Sequence, residues 1–156
     1  MDMQKVLVLC TGNSCRSIMA EALINHLGQG RYMAVSAGSR PTGQVHPQAL
    51  AALARAGIPA GNPTSKTWDV FSGQAFDLVI TVCDQAAGES CPAFLGKAQK
   101  LHWSTPDPAT ATGTPAEVAA VFDSVLARLR ERVDTVLLVQ EPPHAAQHRL
   151  LPPKTA

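Results

Sequence analysis

The stretch Leu9-Cys10-Thr11-Gly12-Asn13-Ser14-Cys15-Arg16-Ser17 decides the fold. It follows an aliphatic run, Val6 to Leu9, with no polar alternation, the pattern of a strand buried on both faces in a parallel sheet. It precedes a helical pattern that begins near Ile18, so it forms a strand-to-helix turn. Such a turn directs backbone N–H groups and the positive end of the helix dipole at one small volume, which is an anion site. Cys10 opens that volume and Arg16 closes it. The N–H groups and the guanidinium would stabilise a thiolate, so the Cys10 thiol is expected to lose its proton easily. The same groups, from Thr11 through Ser17, would hold a tetrahedral oxyanion against the sulfur. Gly12 and Asn13 are residue types that reach positive φ, which lets the loop turn sharply.

Working outward, Met19, Ala22, Leu23, His26 and Leu27 recur at helical spacing, Glu21 and Asn25 fall outside that stripe, and Gly28 and Gly30 supply a stop. Tyr32 to Ser36 reads as a second strand. His46-Pro47 opens a helix whose Leu50, Leu53 and Ala54 are expected to face inward until Gly57. Residues 58–74 carry Pro59, Gly61, Pro63 and Gly73 and read as an irregular connection with one helical turn around Trp68 to Phe71. Phe76 to Val82 is a β-branched strand ending at Cys83, and Lys100 to Trp103 is a short fourth strand before Pro106-Asp107-Pro108. Thr114-Pro115-Ala116-Glu117 is a capping box opening a helix with Val118, Val121, Phe122, Val125, Leu126, Leu129 and Val133 as one stripe. Strands alternating with helices predict an α/β fold, a single-domain parallel four-stranded doubly wound sheet over residues 1–141. The proline-rich residues 142–156 are expected to form a mobile C-terminal tail. In such a sheet the ligand crevice lies at the carboxyl ends of the strands, which is where Cys10 and Cys83 both fall.

A formal net charge of +1 with scattered Lys and Arg, over 156 residues, offers no nucleic-acid track and no membrane-binding face. The N-terminus runs straight into the first strand without a signal-type segment, and there is no apolar run of about eighteen residues, so a cytoplasmic location is expected. Four cysteines in a reducing compartment point to reactive or metal-bound thiols rather than structural disulfides. Their spacing lacks the short knuckles of a zinc site, and no bound metal or cofactor is expected. His144 and His148 fall in the tail with no evident partners, His102 reads as structural beside Trp103, and Cys15 as a packing residue.

Cys10, five residues, Arg16 and then Ser17 resembles the phosphate loop of the low-molecular-weight tyrosine phosphatases and of the arsenate reductases that share their fold. Asp107, between two prolines after a strand, matches the general acid of that family, which protonates the oxygen leaving the attacked oxyanion. These features suit a phosphatase and a reductase equally. The segment from Val82-Cys83-Asp84 to Cys91-Pro92, with His102-Trp103, looks like the redox segment of the thioredoxin-coupled arsenate reductases. Ala109 stands where phosphatases of this fold usually place an aromatic residue. The resemblance runs from about Val6 to Val139.

The resemblance implies a three-cysteine relay for arsenic detoxification. Cys10 attacks arsenate held by the loop and Arg16, with phosphate and sulfate as competing anions, while Asp107 protonates the departing oxygen. Cys83 then attacks the Cys10 sulfur, arsenite leaves, and Cys91 attacks Cys83 to leave a disulfide for an external dithiol protein, thioredoxin ahead of glutaredoxin. Eight residues of helix would hold Cys83 and Cys91 roughly 12 Å apart, whereas a disulfide needs Cα atoms within about 7 Å, so this segment is expected to refold during the cycle. The chain departs from the family pattern in two places. Seven residues separate Cys83 and Cys91, one more than relatives often have. Lys66 replaces an aspartate that helps relatives hold a monovalent cation with residues matching Asn13 and Ser36, and its ammonium is expected to replace that cation. The other readings are a tyrosine phosphatase whose extra cysteines regulate Cys10, and a redox-sensing or anion-binding regulator without turnover.

Overall fold

The computed structural model describes residues 3–84 and 95–138. Cys91, the redox segment after Asp84, and the predicted tail lie outside the described residues. Four parallel strands form one sheet: β1 (Gln4–Leu9), β2 (Tyr32–Ala37), β3 (Leu78–Thr81) and β4 (Gln99–His102), in the order β2-β1-β3-β4. β1 is central, with Leu7 paired to Val35 on one side and Val79 on the other. Alternate residues of β1 enter different cores, Val6 and Val8 under the helices and Leu7 and Leu9 on the opposite face, which is why the run has no polar positions.

The helices α1 (Arg16–Leu27), α2 (Pro47–Arg55) and α3 (Pro115–Arg132) pack against one another on the Val6–Val8 face. Among the described residues the opposite face is covered by a 3₁₀ turn at Trp68–Phe71 together with Phe76 and Leu95. That turn lies where the sequence places it. α1 begins two residues earlier than its apolar pattern and buries Ser17, Ile18, Met19, Ala20, Ala22, Leu23 and Ile24. It is wedged between the sheet and two helices, so a single stripe under-describes it.

Two expected faces are corrected. In α2 the buried residues are Ala49, Ala52 and Leu53, while Leu50 is 37% exposed and Ala54 is exposed. Small alanines allow close approach to α1 and α3, and that contact, rather than hydrophobicity, sets the rotation of the helix. In α3 the core residues are Phe122, Val125, Leu126 and Leu129, followed by Val133, but Val121 is 39% exposed. The capping box is present as expected: Glu117 N–H donates to Thr114 Oγ1 (3.1 Å) and Thr114 N–H donates to Glu117 Oε1 (2.8 Å). α3 continues as a wider turn at Val133–Leu138, where Tyr32 and Arg31 donate to the carbonyl of Leu137.

Phe122 is fully buried among all three helices and stacks at 4.9 Å on the His46 ring that caps α2. Phe122→Ala is therefore expected to cost about 3–5 kcal/mol in urea denaturation, and Val121→Ala less than about 1 kcal/mol. Equal losses would contradict the assigned face.

Candidate active site

β1 ends at Leu9 and the chain turns through residues 10–15 into α1. The turn is held from outside by its carbonyls. Arg40 N–H donates to Thr11 O (3.0 Å), Thr42 N–H and Ser65 Oγ donate to Gly12 O (3.0 and 3.1 Å), and His46 N–H donates to Ser14 O (2.9 Å). In a trans peptide the C=O and the following N–H point opposite ways, so this support turns the N–H groups of Gly12 and Cys15 to the other side. Gly38, at the end of β2, makes the close approach possible, because a Cβ there would overlap the carbonyl oxygens of both Cys10 and Thr11. No local signal in the sequence marks this role of Gly38.

Of the two residues suited to positive φ, only Asn13 uses it, at 45°. Its side chain is fully buried and knits the loop together: Nδ2 donates to Ser17 Oγ (2.8 Å) and Ser36 Oγ (3.0 Å), and Oδ1 accepts from Lys66 N–H (2.9 Å). Ser36 in turn donates to Glu21, so Glu21 belongs to this network although it lies off the apolar stripe. Burial raises the Glu21 carboxyl above its ordinary range, opposed by Ser36 and Lys66. Burial lowers the Lys66 ammonium, opposed by Glu21, and its Nζ donates to Thr64 O (2.7 Å).

Cys10 and Cys83 are both buried thiols outside any disulfide, and Cys83 stands close enough to oppose the ionisation of Cys10. Thr11 N–H also donates to Cys83 Sγ (3.4 Å), with Thr11 Oγ1 3.6 Å from the same sulfur. Thr11 thus engages the second cysteine rather than the loop centre. The expectation that Cys10 ionises easily is corrected: the hydrogen bond with Cys83 and then burial push its thiol up, outweighing the opposing field of Arg16. The guanidinium is turned aside. Arg16 Nη1 donates to Thr105 O (3.0 Å), Nη2 lies 3.6 Å from Asp107 Oδ2, and Nε is buried without a hydrogen-bond partner among the described residues. An unpaired buried N–H is costly, and an entering oxyanion would satisfy it.

Asp107 stands beside Arg16 as a cap on the 3₁₀ turn at Pro108–Thr110, its Oδ1 accepting from Ala109 N–H (2.9 Å). The same oxygen lies 3.8 Å from Cys15 Sγ, so Cys15 is more than filler. Burial, then the Asp107 charge, raise the Cys15 thiol. His102, expected to be structural beside Trp103, bridges Thr81 Oγ1 (2.7 Å) and Asp84 Oδ1 (2.8 Å) on either side of Cys83. Nothing in the spacing of these residues signals that bridge. Among the described residues no cluster of three His, Cys, Asp or Glu side chains is placed to hold a metal ion, and no helix is long and apolar enough to cross a membrane.

A parallel sheet that delivers a cysteine, an arginine and a facing aspartate to its carboxyl edge defines a class. The low molecular weight phosphotyrosine protein phosphatase family matches residues 5–142, and the chain belongs to it. Within that class it is similar to arsenate reductases. The arsenate reductase of Halalkalibacterium halodurans is 39% identical over 135 residues, covering 86% of this chain and 96% of that protein. The solved structure of an arsenate reductase in the phosphate-binding state has a TM-score of 0.73 at 30% identity, covering 89% of this chain and all of the other. The thioredoxin-dependent arsenate reductase of Corynebacterium glutamicum has a TM-score of 0.63 at 27% identity, covering 88% of this chain and 64% of that one.

If the contact with Cys83 is what raises the Cys10 thiol, Cys83→Ala should move the pH midpoint of Cys10 alkylation, followed by peptide mass spectrometry, to lower pH. An unchanged midpoint would contradict that cause.

Proposed function

We propose that this protein reduces arsenate to arsenite through Cys10, Cys83 and Cys91, as part of arsenic detoxification. The observation that carries the reading is the buried Cys83 thiol delivered to the same loop as Cys10, its sulfur accepting from Thr11 N–H (3.4 Å), since hydrolysis of a phosphoester consumes no thiol beyond the nucleophile whereas a two-electron reduction needs a second one. Arsenate enters the loop, with the N–H groups and the unpaired Arg16 Nε as its donors. The Cys10 sulfur displaces one oxygen, which takes a proton from Asp107 and leaves as water; overall the thiol proton departs in that water. The product is a Cys10 sulfur–arsenic(V) bond. Cys83 then attacks the Cys10 sulfur, the S–As electron pair stays on arsenic, and arsenite leaves with the Cys83 proton, so arsenic is reduced by two electrons and the two thiols become a disulfide. Cys91 attacks Cys83, Cys10 is released, and a dithiol protein reduces the Cys83–Cys91 bridge. Thioredoxin is the assigned reductant, since Cys91 resolves the bridge within the chain and the Corynebacterium relative is thioredoxin-dependent.

Arsenate-dependent NADPH oxidation through thioredoxin and its reductase, run beside p-nitrophenyl phosphate hydrolysis, tests this reading. The wild type is expected to turn over arsenate and Cys83→Ser to fall to background. Arsenate turnover that survives Cys83→Ser would overturn the relay, and hydrolysis without arsenate turnover would make the protein a phosphatase.

Lys66 joins the Asn13–Ser36–Glu21 network through its backbone N–H on Asn13, and its ammonium, held on Thr64 O, supplies positive charge to Glu21, which supports activity indifferent to the monovalent cation. Rates in sodium and potassium salts are expected to agree. A several-fold rise in potassium would contradict this role.

A further inference from the structure

We propose that His102 and Asp84 form a clamp that positions the Cys83 sulfur for its attack on Cys10; the proposal rests on the relay described above. Cys83 lies one residue before Asp84 and two after Thr81, and both neighbours are tied to the same imidazole. Thr81 Oγ1 is 2.7 Å from His102 Nδ1, and Asp84 Oδ1 is 2.8 Å from His102 Nε2. With the proton on Nε2, the Thr81 hydroxyl donates to Nδ1 and Nε2–H donates to Asp84, so both ring nitrogens are satisfied. His102 is the last residue of β4, paired in register with Thr81, and is therefore fixed to the sheet. Asp84 has no packing reason to lie where it does, its side chain being 79% exposed, and it is held by His102 and the side chain of Ser104.

The clamp thus stops the chain from peeling away just beyond Cys83, while Thr11 N–H donates to the sulfur itself (3.4 Å). Attack on a sulfur depends steeply on the approach of the incoming sulfur, and a displacement of about 1 Å costs roughly a hundredfold in rate. The clamp acts on this exchange rather than on oxyanion capture: among the described residues neither side chain is hydrogen-bonded to the loop, and the Asp84 carboxylate reaches it only through the field of Arg16.

The test is a single turnover with one equivalent of arsenate in a Cys91→Ser background, following arsenite release. Asp84→Ala and His102→Ala are each expected to slow release by at least about tenfold, and the double variant no more than either alone, as for one shared interaction. Asp84→Asn, which keeps the accepting oxygen, should recover part of the rate. Protection of Cys10 from alkylation by inorganic phosphate should be no weaker than in the parent and shows that each variant is folded. Parent rates in both alanine variants, or additive losses in the double variant, would overturn the clamp. Arsenite release that persists in Cys83→Ser would overturn the relay and the clamp with it, whereas its loss alongside unaffected Asp84→Ala and His102→Ala removes only the clamp.

Discussion

The contact between the Cys10 and Cys83 side chains depends on β1 and β3 being neighbours in one particular register. Leu9 pairs with Thr81, so Cys10 stands level with Val82 and Cys83 emerges one residue higher, beside the loop. A slip of two residues along the strands would carry the second sulfur about 7 Å away while keeping every side chain on its own face. The register is held by pairing to β1 on one side and β4 on the other, and by the alternation that places Val6, Val8, Leu78 and Ile80 under the helices and Leu7, Leu9 and Val79 on the opposite face.

Around that contact the site contains two opposing demands. An anion loop needs free N–H groups and positive charge, and it obtains the first by having its carbonyls bound from outside by Arg40, Thr42, Ser65 and His46. A resting thiol pair instead favours protonation, and Cys10 is raised by its neighbour and its burial. Arg16 sits between the two, its guanidinium turned to Thr105 and Asp107. Oxyanion capture and redox exchange therefore share one sulfur, and the Asn13, Ser17, Ser36 and Glu21 network keeps the loop shape fixed for both.

Much of this was legible in the sequence. The unpatterned strand, the glycine-bearing turn and the capping box at Thr114 are local signals, and they gave the sheet, the loop and α3. The faces of α2 and α3 were not, because Leu50 and Val121 satisfy the hydrophobic period and only the packing partner decides which side turns in. The easy ionisation expected of Cys10 failed for a similar reason: it follows from loop and helix alone, whereas the sulfur that opposes it arrives from seventy-three residues further along the chain. Gly38, Glu21 and the His102–Asp84 bridge have functions set by what lies across from them in space, to which spacing is blind.

The most direct measurement is disulfide mapping by mass spectrometry of the Cys91→Ser protein, quenched after reaction with one equivalent of arsenate. Adjacent sulfurs in the register described here should give a Cys10–Cys83 bridge, with one arsenite per bridge. A bridge between Cys10 and Cys15, or arsenite formed while Cys83 stays reduced, would contradict the assignment of Cys83 as the thiol that completes the reduction.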